Sequence, residues 1–169
     1  SKTPLDIRWS RELPSNPSSI TISKDCAGRY FVSCLCEFEP IPLLKNDKTV
    51  GVDVGIKHLL VTSDGEKIDN PKYFAKYEKK LAKAQKALSR KQKGSNNRAK
   101  AKAKLSRLHA KISNIRQDFN HKLTTQLVKS YDVICIENLN VKGMVQNRKL
   151  SRAISDLGFY EFKRQLIYK

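Results

Sequence analysis

Two carboxylates occupy short apolar segments that are far apart in the sequence. Asp53 lies in the segment 49–56, TVGVDVGI, and Glu137 lies in the segment 131–139, YDVICIENL. An acid within a strand rich in Val and Ile is expected to lose water as the strand packs, so each acid needs a local partner or a cation. If the two strands are neighbours in one sheet, both carboxylates reach one patch, which can hold Mg²⁺ for phosphodiester chemistry.

A purely structural role for these acids is the alternative. Asp53 could accept hydrogen bonds from the turn that follows its strand, and Glu137 with Asn138 could cap a strand end. The strand pattern by itself leaves both interpretations open.

The charge of the chain indicates a polyanionic partner. Its 169 residues include 34 Lys and Arg against 16 Asp and Glu, a net charge of +18 with a pI near 9.9. The basic segments carry mostly Ala and Leu, unlike a membrane-surface helix, so we expect nucleic acid and no membrane as the partner. No signal peptide, membrane-length apolar segment or GxxxxGK[ST] motif occurs, which favours a soluble intracellular protein without P-loop chemistry.

Most of this charge is concentrated in one segment. Residues 72–111 contain fifteen Lys or Arg and one acid, Glu78, a net charge of +14. Apolar positions recur at spacings of three and four on both sides of Gly94, which predicts an antiparallel helical hairpin over about 72–129 whose second arm is about 48 Å long. A solvated charged face is the ordinary explanation, but a merely soluble helix mixes both signs, so we favour sequence-independent contact with a nucleic-acid backbone.

The candidate nucleic-acid contacts are basic residues along this hairpin. They are Lys79, Lys80, Lys83, Lys86, Arg90, Lys91, Lys93, Arg98, Lys100, Lys102, Lys104 and Arg107.

Turn signals and alternation divide the chain into two predicted domains, 1–47 and 48–169. The first contains a short strand near Trp9 and a β-hairpin over 19–39 with its turn at 25–28, followed by a Pro-containing linker. The second begins with a β-meander and has the helical hairpin, the Glu137 strand, a loop at 140–145 and a helix from about Ser151 to Tyr168.

The cysteines and histidines give no metal-binding pattern. Cys26, Cys34, Cys36 and Cys135 have no CxxC spacing. Cys34, Cys36 and Cys135 lie in predicted apolar strands and Cys26 in a turn, so buried free thiols explain the cysteines better than a zinc site or disulfides. The three histidines lack ligand spacing and are interpreted as core or surface residues.

Several motifs together resemble the TnpB (OrfB) family of transposon-encoded RNA-guided DNA nucleases, which are related to type V CRISPR effectors. The matching segments are GVDVGIKH at 51–58, DG at 64–65, the Lys-rich hairpin, ENLNVKGM at 137–144 and SDLGF at 155–159. The resemblance implies an α/β (α+β) fold with an RNase H-like, RuvC-like mixed sheet, an inserted basic helical hairpin and a preceding hairpin from a wedge-type β-barrel.

The resemblance also implies the chemistry. Asp53 and Glu137 match the first and second catalytic acids, which would hold two Mg²⁺ or Mn²⁺ ions for hydrolysis of a DNA phosphodiester. The implied partners are DNA and a guide RNA, and the implied location is the cytoplasm of a bacterium or archaeon, in association with the nucleoid.

Other family features do not occur in this sequence. Relatives of this type continue into another strand, a zinc ribbon with paired CxxC motifs and a third catalytic aspartate, so we expect an internal fragment without a zinc site and with little or no cleavage of its own. Asp156 and Glu161 are weak candidates for a third ligand. A missing strand would leave a sheet edge open to self-association. The alternative function is a DNA- or RNA-binding module or regulator without catalysis.

Overall fold

A computed structural model describes residues 6–147 and 151–169, without the side chain of Arg152. The chain divides between Pro42 and Leu43 into two compact units. This division falls within the segment that the sequence predicts as a linker. Asn46 and Asp47 belong to the second unit, where their backbone N–H groups donate to the Asp132 carboxylate at 2.8 and 2.7 Å.

The first unit contains the predicted β-hairpin. Strands β1 (Ser19–Lys24) and β2 (Tyr30–Leu35) are antiparallel. The Asp25 carboxylate stabilises their turn by accepting hydrogen bonds from the N–H groups of Ala27 and Arg29 at 2.9 and 2.8 Å. The predicted strand near Trp9 is wrong, because residues 6–9 have no regular secondary structure.

The second unit is built on a four-stranded mixed sheet. Its strands are β3 (Thr49–Val54), β4 (His58–Thr62), β5 (Lys67–Asp69) and β6 (Val133–Ile136), in the order β5-β4-β3-β6. The first three form the predicted antiparallel meander, and β6 pairs with β3 in parallel. The strand predicted over 131–139 is therefore confirmed, with narrower bounds.

The helical hairpin is also confirmed. Helix α1 (Tyr73–Ser89) is followed by α2 (Asn96–Ser130), which begins where the Ser95 side chain accepts a hydrogen bond from the N–H of Arg98. The ring of Tyr73, at the start of α1, lies 5.9 Å from that of Phe119, far along α2, in an edge-to-face contact. The two helices are therefore antiparallel, as the apolar periodicity predicts.

The last part of the chain differs from the prediction in two places. The predicted loop after Leu139 contains helix α3 (Val141–Val145), because the Asn140 side chain accepts a hydrogen bond from the N–H of Gly143. The single helix predicted to end at Tyr168 is two helices, α4 (Ser151–Leu157) and α5 (Phe159–Tyr168). Gly158 separates them in the left-handed conformation, with φ 67°, which interrupts a right-handed helix.

The core of the second unit lies on one face of the sheet. It is formed by buried side chains from β3, β4, α2, α4 and α5, namely Val50, Val52, Leu59, Leu60, Leu123, Leu127, Ile154, Leu157, Phe159 and Phe162. Along β3 the alternate residues Thr49 and Asp53 are exposed. One face of β3 is thus covered and the other is open at Asp53. Among the helices of residues 6–147 and 151–169, none is long and apolar enough to cross a membrane.

Candidate active site and nucleic-acid interface

The parallel pairing of β3 with β6 brings the two strand acids together. Val52 pairs with Ile136, and Asp53 and Glu137 are the residues that directly follow this pair in the sequence. Neighbouring strands lie about 4.8 Å apart, and residues at the same level of a parallel pair project from the same face. The sheet therefore presents both carboxylates side by side, although they are separated in sequence by the entire helical hairpin.

The expected burial of these acids is wrong. Asp53 and Glu137 are both exposed, because they project from the open face while Val52 and Val54 project toward the core. Within the part of the chain that the structure describes, neither carboxylate forms a hydrogen bond or ion pair. They have neither lost their water nor acquired a protein partner.

The contacts around the pair argue against the structural alternatives. In the turn after β3, the N–H of Gly55 donates to the carbonyl of Leu59 at 3.2 Å rather than to Asp53. After β6, the Asn138 side chain accepts a hydrogen bond from the Nζ of Lys163 at 2.7 Å. Both neighbours are thus held by other groups, and the two carboxylates remain available.

The two carboxylates are suitable ligands for a divalent cation, but two ligands are few for such a site. Hard divalent cations prefer carboxylate oxygens, and Asp53 and Glu137 supply two such groups at one exposed position. Across residues 6–147 and 151–169, no cluster of three His, Cys, Asp or Glu side chains could hold a metal ion. A third ligand from this part of the chain does not reach the pair.

Asp156, the first candidate for a third metal ligand, is occupied by hydrogen bonds to other parts of the fold. Its side chain is 9% exposed and accepts a hydrogen bond from Nη2 of Arg116 at 3.1 Å. Its other oxygen accepts from the N–H of Phe74 at 2.9 Å, in the first turn of α1. The residue before α1, Lys72, provides no side-chain cap, so Asp156 supplies an acceptor from a distant helix.

Glu161, the second candidate, is also occupied. It accepts two hydrogen bonds from Arg164 at 2.8 Å and one from Gln165 at 3.0 Å. These bonds, those from Arg164 foremost, lower the pKa of Glu161 to about 2. Both helix acids therefore have structural roles, which sequence reasoning missed for Asp156 because its partner in α1 lies 82 positions away.

A mostly apolar cleft of about 380 Å³ begins at Glu137. Its walls come from the end of β3, from β6, and from α3 and α5, and include Val54, Ile136, Phe159 and Ile167. The Ile167 side chain is 75% exposed. The carboxylate of Glu137 thus stands between an open sheet face and an apolar depression.

The predicted nucleic-acid contacts are well exposed along the hairpin. Eleven of the twelve residues are exposed, and the exception is Arg98. Its Nη1 donates to the carbonyls of Leu88 and Lys91 at 3.0 and 2.9 Å, so it closes the end of α1 against the start of α2. The structure gives Arg98 a structural role, and nucleic-acid contact by these residues stays a prediction.

The structure also gives the surroundings of the cysteines and of His58, for which the sequence predicts no metal binding. All four cysteines are free thiols. Their predicted burial is wrong for Cys26 and Cys135, which are exposed; Cys135 projects from the same open face as Glu137. The Nδ1 of His58 lies 2.8 Å from the Asp69 carboxylate, a local contact within the sheet.

Comparison with known proteins gives a consistent result. The OrfB_IS605 family model, described as a probable transposase, matches residues 33–148. A Streptomyces pristinaespiralis protein named "Putative RNA-guided DNA endonuclease" is 49% identical over 98% of this chain, and Escherichia coli K12 InsQ, which carries the same description, is 38% identical over 98%. The chain spans 42% and 45% of the length of these two relatives.

Proposed function

Since the chain belongs to the OrfB_IS605 family of probable transposases, we propose that it forms part of a transposon-associated, RNA-guided DNA endonuclease. Its second unit is a RuvC-like nuclease domain, with Asp53 and Glu137 as catalytic carboxylates. The observation that carries this proposal is the parallel register of β3 and β6, which places two exposed acids side by side. The first unit, a two-stranded hairpin with exposed apolar side chains, belongs to a wedge-type β-barrel.

The topology of the sheet supports the nuclease assignment. An antiparallel meander is joined at β3 by the parallel strand β6, as in the RNase H-like mixed sheet that the sequence resemblance implies. The helices pack beneath, and the acid-bearing face stays open. A DNA strand can therefore approach the two carboxylates without displacing the core.

Asp53 and Glu137 would hold Mg²⁺ or Mn²⁺ at this face. Bound divalent ions lower the pKa of coordinated water and neutralise charge that develops on a phosphate. The protein's own contribution is to hold Asp53 within β3 and Glu137 directly after β6, so that the pairing of the two strands limits how far the carboxylates can separate. Without such cations the adjacent carboxylates would repel a phosphodiester.

Metal binding tests this proposal directly. Free Mn²⁺ is titrated with the chain and followed by electron paramagnetic resonance, in which bound Mn²⁺ loses the signal of the free ion. We expect weak binding that is lost in Asp53→Asn and in Glu137→Gln, and retained in Glu66→Gln, which removes an exposed acid from the turn between β4 and β5. Equal binding by all four proteins would contradict the assignment.

Cleavage by this chain alone should be weak or absent. Two carboxylates give an incomplete ligand set, and the described residues provide no third one near them. Labelled single- and double-stranded DNA is incubated with the chain and Mg²⁺ or Mn²⁺. Robust cutting that disappears in Asp53→Ala would show that the site is already complete.

A nucleic-acid-binding module without catalysis is the second candidate. The same lack of a third ligand among the described residues favours it. It predicts that Glu137→Gln binds DNA as well as the unchanged chain, or better, and that divalent cations have no effect. Metal-dependent protection or cleavage that is lost in Glu137→Gln favours the endonuclease instead.

A further inference from the structure

The contacts between α1 and α2 determine which residues of the hairpin lie at the same level. In the first half of α1, the Tyr77 ring centroid lies 5.7 Å from the Nζ of Lys111 of α2. Near the tip, Arg98 donates to the carbonyl of Leu88. Between these two contacts the antiparallel helices place Lys80 at about the level of Arg107, and Lys83 at about the level of Lys104.

Seven cations lie on one side of the hairpin. Residues at spacings of three and four share a helix face, and in both helices these positions flank the same side of the apolar seam. The basic strip, as we define it, consists of Lys76, Lys80, Lys83, Lys100, Lys104, Arg107 and Lys111, all of which are exposed. Lys80 of α1 and Lys111 of α2 both lie over the ring of Tyr77, at 5.9 and 5.7 Å, which shows that the two helices present their cations on one side.

The opposite side of the hairpin is nearly uncharged. Helical periodicity places Glu78 and Gln85 of α1 there, with Ser106 and His109 of α2, and its cations are Lys102 and Arg98, the latter bonded to backbone carbonyls. The single acid of residues 72–111 therefore faces away from the basic strip. A charge distribution that served solubility alone would have no reason to be one-sided.

The form of the strip fits a double helix better than a single strand. Proteins that hold single strands combine basic grooves with aromatic side chains on which bases stack. Here Tyr73 packs against Phe119 and Tyr77 is covered by two ammonium groups. Both rows of the strip are on helices that pack along a common seam, which holds the cations in place.

The dimensions agree with this assignment. Lys104 and Lys111 are about 10 Å apart along α2, which equals about three base-pair steps along a duplex axis, where each strand carries one phosphate charge per 3.4 Å. Packed helices lie about 8 to 10 Å apart, so a phosphate backbone lying over the seam has cations on both sides. Lys111 is about 18 Å along α2 from Leu123, which lies in the core beneath the sheet.

We propose that the basic strip grips the backbone of a nucleic-acid duplex, without reading its bases, at a distance from the acid pair along the hairpin. This inference rests on the proposed nucleic-acid function. It assigns the binding surface to one side of α1 and α2, and it specifies a double-stranded nucleic acid as the ligand. It adds Lys76 and Lys111 to the contacts predicted from sequence. It also removes Lys79, Lys86 and Lys102, which project elsewhere.

Two triple variants of the full chain test the proposal. The strip variant is Lys80→Gln, Lys83→Gln, Lys104→Gln. The matched control is Lys79→Gln, Lys86→Gln, Lys102→Gln, which likewise changes two lysines of α1 and one of α2, all exposed. Both variants lose the same charge and keep good helix formers. Binding to a labelled DNA duplex and to a single strand of equal length is measured by fluorescence anisotropy over a range of salt concentrations, in EDTA.

We expect the strip variant to bind the duplex more weakly. Its slope of log affinity against log salt should fall by about 2.7, from three lost phosphate contacts at about 0.9 each, and its single-strand affinity should change less. The control should keep the duplex slope within about 1 of the unchanged chain. Equal losses in the two variants, or an equal loss for single strands, would overturn the proposal.

The result is independent of the acid pair. Since EDTA removes divalent cations, failure of the basic strip leaves the manganese titration of Asp53 and Glu137 untouched. Failure of that titration, with a positive result here, would instead indicate a duplex-binding module without catalysis.

Discussion

Two pairs of acids in this protein have opposite environments. The strand acids Asp53 and Glu137 are exposed and have no partner within the described residues. The helix acid Asp156 is 9% exposed and holds together α1, α2 and α4, and Glu161 is bound by Arg164 and Gln165. Local sequence suggests the reverse, because strand residues surrounded by Val and Ile are usually buried and acids on terminal helices are usually solvated.

The comparison shows that whether an acid stabilises the fold or remains available for binding depends on the groups that surround its carboxylate. Asp156 faces a guanidinium and a helix N-terminus, so its charge stabilises the fold. Asp53 and Glu137 face each other across a parallel pair, so their charges oppose binding of anything but a cation. Stability and function should therefore respond in opposite ways when each pair is changed.

Removal of Asp156 should have the largest effect on stability. Asp156→Ala leaves the partly buried Arg116 and the N–H of Phe74 without their acceptor, at a cost of about 2 to 3 kcal/mol. Chemical denaturation followed by circular dichroism measures this change. Asp69→Ala, which removes an acid from an exposed contact with His58, is the control and should cost much less.

Loss of the Glu161 contacts should have a smaller effect that depends on pH. Because the folded-state pKa is lowered from 4.5 to about 2, the stabilisation is complete above about pH 4.5 and disappears as the pH falls toward 2. Comparison of the denaturation midpoints of the unchanged chain and Glu161→Gln should show a difference at pH 7 that narrows through this range. A difference that stays constant to pH 2.5 would show that the effect is not electrostatic.

Substitution of the strand acids should have the smallest effect on stability. Asp53→Asn and Glu137→Gln remove exposed charges with no protein partner, so each should change the free energy of unfolding by no more than about 0.5 kcal/mol. The same denaturation measurement, made in EDTA, checks this. A loss as large as that for Asp156→Ala would mean that the strand acids are structural, and the contrast between the two pairs would fail.

Local patterns in the sequence predicted the main elements well. The β1–β2 hairpin, the β3–β5 meander and the two long helices follow from alternation, from turn residues such as Asp64-Gly65, and from apolar spacings of three and four. The residues that form each of these signals lie within a few positions of one another. The signals can therefore be recognised without knowing the rest of the fold. The exceptions were the break at Gly158, helix α3 in the predicted loop after Leu139, and the strand predicted near Trp9.

The sequence by itself determined the acids, the concentration of positive charge in one hairpin and the family resemblance. Tertiary structure decided what those residues face. The pairing of β3 with β6 joins segments separated by the whole hairpin, the contact of Asp156 with Phe74 spans 82 positions, and the basic strip exists because two antiparallel helices pack along one seam. Contacts of this kind arise between distant segments, and no local pattern of residue types specifies them.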